Sequence, residues 1–387
     1  MFLILLLILL SALPDAMVVP VLRDLLADRY GVSGAAAQGF LAVNLLGAAA
    51  AIPLVRWAAG RAPAWSLAAS GAVADAALLG LMWLPIGFAP TLAARAVEGV
   101  ADVLTFAALF QLLGRAGGGG QAWRMGLGAT VLVGGLGAGA VAGGIAVRAA
   151  GMDPTVVFAV GAGACLLTAI GAWVGSRSLL LHEPPAPETA SGVRASGPVW
   201  PMLLMAASDR ATGAALTAVF ASFLARNLGY DPVERGRLVG LPLLLMAIGA
   251  TPAGWIADRL GSLRVRTWAA WGYATCFAAV ALVGASTATL SLLLLALGVT
   301  AAPLLPSSLA LTVRSGHGTR GLAAFRVAGD MGYFLGLIAV IGVGALAGAD
   351  ELSTQRALMV GFALLHAACT TAAWSGMRRV PATPASD

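Results

Sequence analysis

Residues 176–199, SRSLLLHEPPAPETASGVRASGPV, form the one long polar interruption in a chain of 387 residues. They hold Pro184, Pro185, Pro187 and Pro198 with Glu183, Glu188 and Arg194, the composition of a linker. The chain as a whole is 59% hydrophobic and 10% charged, with a mean hydropathy of +0.90. Soluble domains average roughly 25% charged residues, so lipid is the main solvent here. A helix needs about 20 apolar residues to cross about 30 Å of hydrocarbon. Six such stretches are expected before the interruption, near 2–22, 36–55, 65–84, 90–113, 126–147 and 154–175. Six more follow, near 200–225, 238–256, 267–285, 289–313, 321–346 and 357–375. The division is residues 1–175, a cytoplasmic linker 176–199, residues 200–376 and a cytoplasmic tail 377–387.

Met1 to Leu22 lacks the basic start and small-residue cleavage site of a secretory signal, so it reads as the first span. The chain contains no lysine, which leaves arginine as the topology marker. With both termini cytoplasmic, inner loops and tails carry thirteen arginines (56, 61, 115, 124, 177, 194, 259, 264, 266, 314, 320, 378 and 379). Seven lie outside (23, 29, 148, 226, 235, 237 and 356), as the positive-inside rule requires. The basic balance therefore marks a bacterial inner (plasma) membrane topology and no nucleic-acid partner. Cys165, Cys276 and Cys369 fall within spans and His182, His317 and His366 are scattered, which indicates neither a disulfide framework nor a metal site. No cofactor motif or catalytic constellation is visible, so no enzyme is expected. Pro14, Pro20, Pro53, Pro242, Pro303 and Pro306 interrupt the spans as candidate flex points.

Gly254-Trp255-Ile256-Ala257-Asp258-Arg259-Leu260-Gly261, at the inner end of span 8, resembles the G-x-x-x-D-R-x-G signature of the major facilitator superfamily. After span 2, where the signature recurs in that family, only Val55-Arg56-Trp57-Ala58-Ala59-Gly60-Arg61 stands, without the aspartate. In span 5, Gly126, Gly135, Gly139, Gly143 and Gly144 have the glycine spacing of the family's antiporters, with Ala140 in place of the proline. Glycines so spaced also let neighbouring helices approach closely, as small-xxx-small faces do. Arg95-Ala96-Val97-Glu98-Gly99 in span 4 is similar to the family's R-x-x-Q-G motif, whose arginine is linked to proton transfer. Residues 326–336 in span 11 are similar to a segment of the drug-efflux branch. The resemblance implies an all-α membrane protein of two six-helix bundles, an N-terminal one over 1–175 and a C-terminal one over 200–376. A midplane cavity opens alternately to either side as one bundle rocks against the other.

Nine ionisable residues fall inside the spans: Asp15, Asp75, Arg95, Glu98, Asp102, Asp209, Arg210, Arg326 and Asp330. At about 2.5–3.5 kcal/mol each, leaving them unpaired in lipid would be prohibitive. Arg95, Glu98 and Asp102 share one face of span 4 at i, i+3 and i+7, so the arginine can pair with one acid and leave another over. A carboxyl so placed has a proton affinity that changes with access, which makes Asp15, Arg95, Glu98 and Asp102 the proton-coupling candidates; a fixed ion-paired brace is the alternative. Asn44, Asp209, Arg210, Arg326, Asp330 and Tyr333 are candidates for the substrate cavity, with Gln111, Phe106, Phe220, Phe223 and Phe334 as further lining. Arg326 and Asp330, at i and i+4, can instead neutralise each other. Asp75 is expected to be structural. The expectation is a monomeric proton-coupled antiporter exporting a small amphipathic or cationic solute. An importer of an anionic metabolite, or a non-transporting scaffold, remains open.

Overall fold

In the hydrocarbon every backbone N–H and C=O needs a partner within the protein, and helices supply it within one segment. The computed structural model describes residues 1–59, 61–116, 121–179, 198–283, 286–314 and 318–378, and within these it is helix upon helix. Span 1 is Phe2–Met17, prolonged by a 3-10 turn at Val19–Val21 and a π-helical turn at Arg23–Asp28. Spans 2 to 6 are Gly34–Ala59, Ala64–Trp83, Phe88–Arg115, Gln121–Ala149 and Val156–Leu179. Span 7 runs through Trp200–Ala215, a π-helical turn at Leu216–Phe220, and Ala221–Arg226. Spans 8 and 9 are Pro232–Leu260 and Ser262–Leu282. Span 10, Thr287–Ala301 and Leu304–Arg314, is broken at Pro303, which has no N–H to continue the helix. Spans 11 and 12 are Gly318–Ala347 and Leu352–Arg378.

Ten of these rods are long and apolar enough to cross a membrane. The other two are span 7, which holds Asp209 and Arg210, and span 9, which holds Arg264 and Arg266. Gly261, the last residue of the span 8 signature, has φ +91 and turns the chain from one rod into the next with no intervening loop. Asp231 and Glu234 form a capping box at the other end of span 8. Most of the expected linker (180–197, with Pro184, Pro185, Pro187, His182, Glu183, Glu188 and Arg194) lies outside the described residues, as do Gly60, His317, Arg379 and the rest of the tail.

The packing repeats itself between halves. Span 1 packs on spans 5 and 6, span 3 on 6, and span 2 on 4; correspondingly span 7 packs on 11 and 12, span 9 on 12, and span 8 on 10. The halves meet along two equivalent seams, span 5 against span 8 and span 2 against span 11.

Toward the face opposite the termini the halves are tied together by charge. Arg23 pairs with Asp350 at 3.0 Å, Arg235 with Asp24 at 2.6 Å and Arg148 with Asp231 at 3.7 Å, while the Gln38 amide donates to the Ala218 carbonyl at 3.2 Å. Sequence reasoning assigns Arg23, Asp24, Arg235 and Asp350 to outer loops, but Arg235 is buried within span 8. Because these pairs join the two halves, Arg235→Gln is expected to weaken their association at this face by roughly 1–2 kcal/mol, a factor of about 5–30 in population. In a cysteine-free background, a Gln38→Cys probe should then react correspondingly faster with an impermeant maleimide applied from the face opposite the termini. Unchanged labelling would show that the pair does not hold the face shut.

Candidate functional site

Pro14, which has no N–H and directly precedes Asp15, leaves the Leu10 carbonyl of span 1 without its helical donor. Span 5 supports the interruption with its glycines. A Cβ on Gly135 would press on Leu9 and Ala12, on Gly139 on the Leu13 backbone, and on Gly143 on the Met17 backbone. The backbones of spans 1 and 5 therefore approach closely on both sides of Asp15, which fixes where its carboxylate stands. Gly144 belongs to the other face of span 5 and abuts Pro232 of span 8, while a Cβ on Gly126 would meet nothing within 4 Å among the described residues.

Span 4 brings Arg95 and Glu98 to the same place. Arg95 Nη1 donates to Glu98 Oε1 at 2.6 Å and Nη2 to Asp15 Oδ1 at 3.2 Å, with the guanidinium 5.0 Å over the Phe40 ring. One arginine thus bridges carboxylates from two spans. The side chains of Arg95 and Glu98 are each 3% exposed, whereas Asp15 is 26% exposed. The Asn44 amide donates to Glu98 Oε2 at 2.7 Å. That bond depends on Gly99, where a Cβ would collide with the Asn44 carbonyl. The glycine of the span 4 motif is there so that span 2 can deliver Asn44. Asp102, one turn on, is half-buried and makes no ion pair or hydrogen bond within the described residues. Asp75 on span 3 is buried and accepts from the Thr105 hydroxyl at 3.3 Å, while its other oxygen has no partner. Two carboxylates thus touch one guanidinium, and the carboxyls of Asp102 and Asp75 lie within electrostatic range of it.

In the second half, Asp209 turns away from the centre. It accepts from Arg266 Nη2 at 2.6 Å and lies 3.7 Å from His366 Nε2, with Arg266 Nε donating to the Ser308 hydroxyl at 2.9 Å. Arg266, which sequence reasoning places in an inner loop, is fully buried in the first turns of span 9, and His366 is fully buried in span 12. The signal in the sequence is that Asp209 has no cation one turn away on span 7, where positions 205, 206, 212 and 213 are Met, Ala, Thr and Gly, so one must come from another span. Arg210, next in sequence, faces span 11 instead, 4.0 Å from Asp330, which also accepts from Arg326 Nε at 3.0 Å. Tyr333, one turn from Asp330, shares a 2.7 Å hydrogen bond with Thr217 in the π-helical turn of span 7. It stands within electrostatic range of Asp15, Arg95 and Arg210. The structure thus brings Asp15, Arg95, Glu98 and Asn44 together in the first half and Arg210, Arg326, Asp330 and Tyr333 together in the second. Asp209 belongs to a separate cluster inside the second half. In the signature, Arg259 stacks 3.6 Å from the Trp255 ring, and Gly254 lies against Pro306.

Comparison with known proteins places the fold. A bacterial homologue of the human lysosomal transporter Spinster, solved in an inward-facing and occupied conformation, superposes with a TM-score of 0.79 at 14% identity, over 99% of this chain and 98% of that one. Its inward-facing, unoccupied form gives 0.74, also at 14% identity and over the same shares of the two chains. A variant of the peptide transporter POT in complex with sulfate gives 0.77 at 12% identity, over 98% and 94% of the chains. No family model and no curated protein matches the sequence. At such identities the likeness is one of fold: two six-helix bundles in the major facilitator arrangement.

Proposed function

We propose that this chain is a secondary active transporter of the major facilitator superfamily, a proton-coupled antiporter that expels a small cationic or amphipathic solute from the bacterial cytoplasm by alternating access. The observation that carries this is Arg95 held between Glu98, which is sealed, and Asp15, which is accessible. A proton or a cationic solute arriving at Asp15 competes with Arg95 for the same carboxylate, and when it wins the guanidinium falls back on Glu98. Two ligands that exclude each other at one carboxylate are what antiport needs. Asn44 keeps Glu98 in place while the exchange occurs, and Asp102 offers a second acceptor along the same wall. With the termini cytoplasmic, the ion-paired face is the outer one and this conformation faces inward. One proton moving down 100 mV supplies about 2.3 kcal/mol, enough for roughly a fifty-fold solute gradient. A second reading, import of an anionic metabolite, draws on the accessible Arg210 and Arg326.

The test is dequenching of a pH gradient in energised everted vesicles on addition of tetraphenylphosphonium, ethidium or organic anions. The cations are expected to collapse the wild-type gradient, and Asp15→Asn and Glu98→Gln to reduce the response at least tenfold while solute counterflow persists. Counterflow without any proton movement in the wild type would make the protein a facilitator, and a response to the anions alone would favour import.

A further inference from the structure

The charged walls of the two halves differ in sign. On the first half the cation is spent internally, since Arg95 is sealed and shared by Asp15 and Glu98, so what the wall presents is carboxyl oxygen from Asp15 and Asp102. On the second half the count reverses. Arg210 is 46% exposed and Arg326 64%, against the single carboxylate of Asp330 at 45%. Two guanidinium groups share one acid: Arg326 holds both oxygens of Asp330 through Nε, at 3.2 and 3.0 Å, and Arg210 is left 4.0 Å from it, with its stem laid across Gly329 of span 11. Counting about 1.5 Å per residue from the helix ends nearest the termini, Asp15 and Asp102 lie about 20 Å deep and Arg210 and Arg326 about 12–15 Å deep. The opposed charges therefore lie at neighbouring depths in the two halves, and Tyr333 is within electrostatic range of both Asp15 and Arg210. The charges of span 11 are also separate from its exposed apolar face of Val327, Met331 and Leu335, which is the face suited to lipid.

A solute with only a cationic group would satisfy the first wall and be repelled by the second; a solute with only an acidic group would meet the reverse. We propose that the transported solute is a zwitterion whose cationic group is received by Asp15 and Asp102 and whose acidic group, a carboxylate or phosphate-type anion, is received by Arg210 and Arg326. The inference rests on the transporter function proposed above and adds the second recognition element, which unites the observations behind the cationic and anionic readings.

The experiment uses the purified full-length protein in nanodiscs and a ligand series that changes one thing at a time. The probes are ω-amino alkanoic acids with 2 to 11 carbons, the n-alkylamines of equal length, which keep only the cation, and the alkanoates, which keep only the anion. Affinity is read by competition and by thermal shift. One length of amino acid is expected to bind at least tenfold more tightly than the amine or the alkanoate of that length. Arg326→Gln and Arg210→Gln should erase the advantage over the amine without weakening the amine itself, and Arg210→Lys should restore part of it. If amine and amino acid bind alike in the wild type, or none of the probes binds, the proposal is overturned even where a variant fails to fold. Proton-driven movement of tetraphenylphosphonium in vesicles would survive that outcome, so failure of the zwitterion and failure of the antiporter are distinguishable.

Discussion

Arg95→Leu is expected to abolish proton-coupled transport and to destabilise the protein by about 3–5 kcal/mol, the range for removing one partner of a buried ion pair. The reason is what remains. Glu98, 3% exposed, would keep only the Asn44 amide as a partner in a place water does not reach. The double variant Arg95→Leu/Glu98→Leu removes both the charge and its counter-charge, and replacing a buried pair by apolar groups is often neutral. Melting temperatures in detergent should therefore rank the single variant lowest, the double variant higher and the wild type highest, with transport lost in both variants. Equal melting of single and double variants would mean that Glu98 is stabilised by something other than Arg95, and the shared-arginine mechanism would fall with it.

The glycines of span 5 should separate into two classes. Gly139 faces the backbone of Leu13 within its own half, and Gly144 faces Pro232 across the seam between halves. Gly139→Leu therefore overpacks the interior of a bundle, at a cost of about 1–3 kcal/mol or more, and should lower the melting temperature. Gly144→Leu presses only on a contact that parts when the molecule opens. It should melt close to the wild type yet lose more than tenfold in counterflow, and a Gln38→Cys probe should become reactive from the face opposite the termini. If both variants melt alike and label alike, the seam at Gly144 is ordinary packing with no part in the cycle.

Much of this site is written in local spacing. Arg95 and Glu98 are three residues apart on one helix, so their pairing follows from helical geometry alone, as does the Arg326–Asp330 pair. Partners from other spans are another matter. That Asp15 meets Arg95, that Asn44 reaches Glu98 and that Arg266 is buried against Asp209 depend on which helices are neighbours, and apolar helices in lipid carry no charge pattern on their surfaces that would reveal it. Arg235 and Arg266 were misplaced for a related reason. Hydropathy ends a span at its first charge, whereas both helices continue through that charge because a carboxylate elsewhere neutralises it.

By itself the sequence determined that the chain is an all-helical, multi-pass membrane protein of six and six spans, and that several spans carry charges too costly to leave unpaired. Those conclusions need only the transfer cost of each residue and the rise of a helix. Tertiary structure alone decided which carboxylate shares Arg95, which arginines join the two halves at one face, and that Arg210 and Arg326 converge on the single carboxylate of Asp330. Such facts depend on the rotation and neighbours of each helix, and these are set by close packing at glycines such as Gly99, Gly139 and Gly144 acting together over the whole assembly.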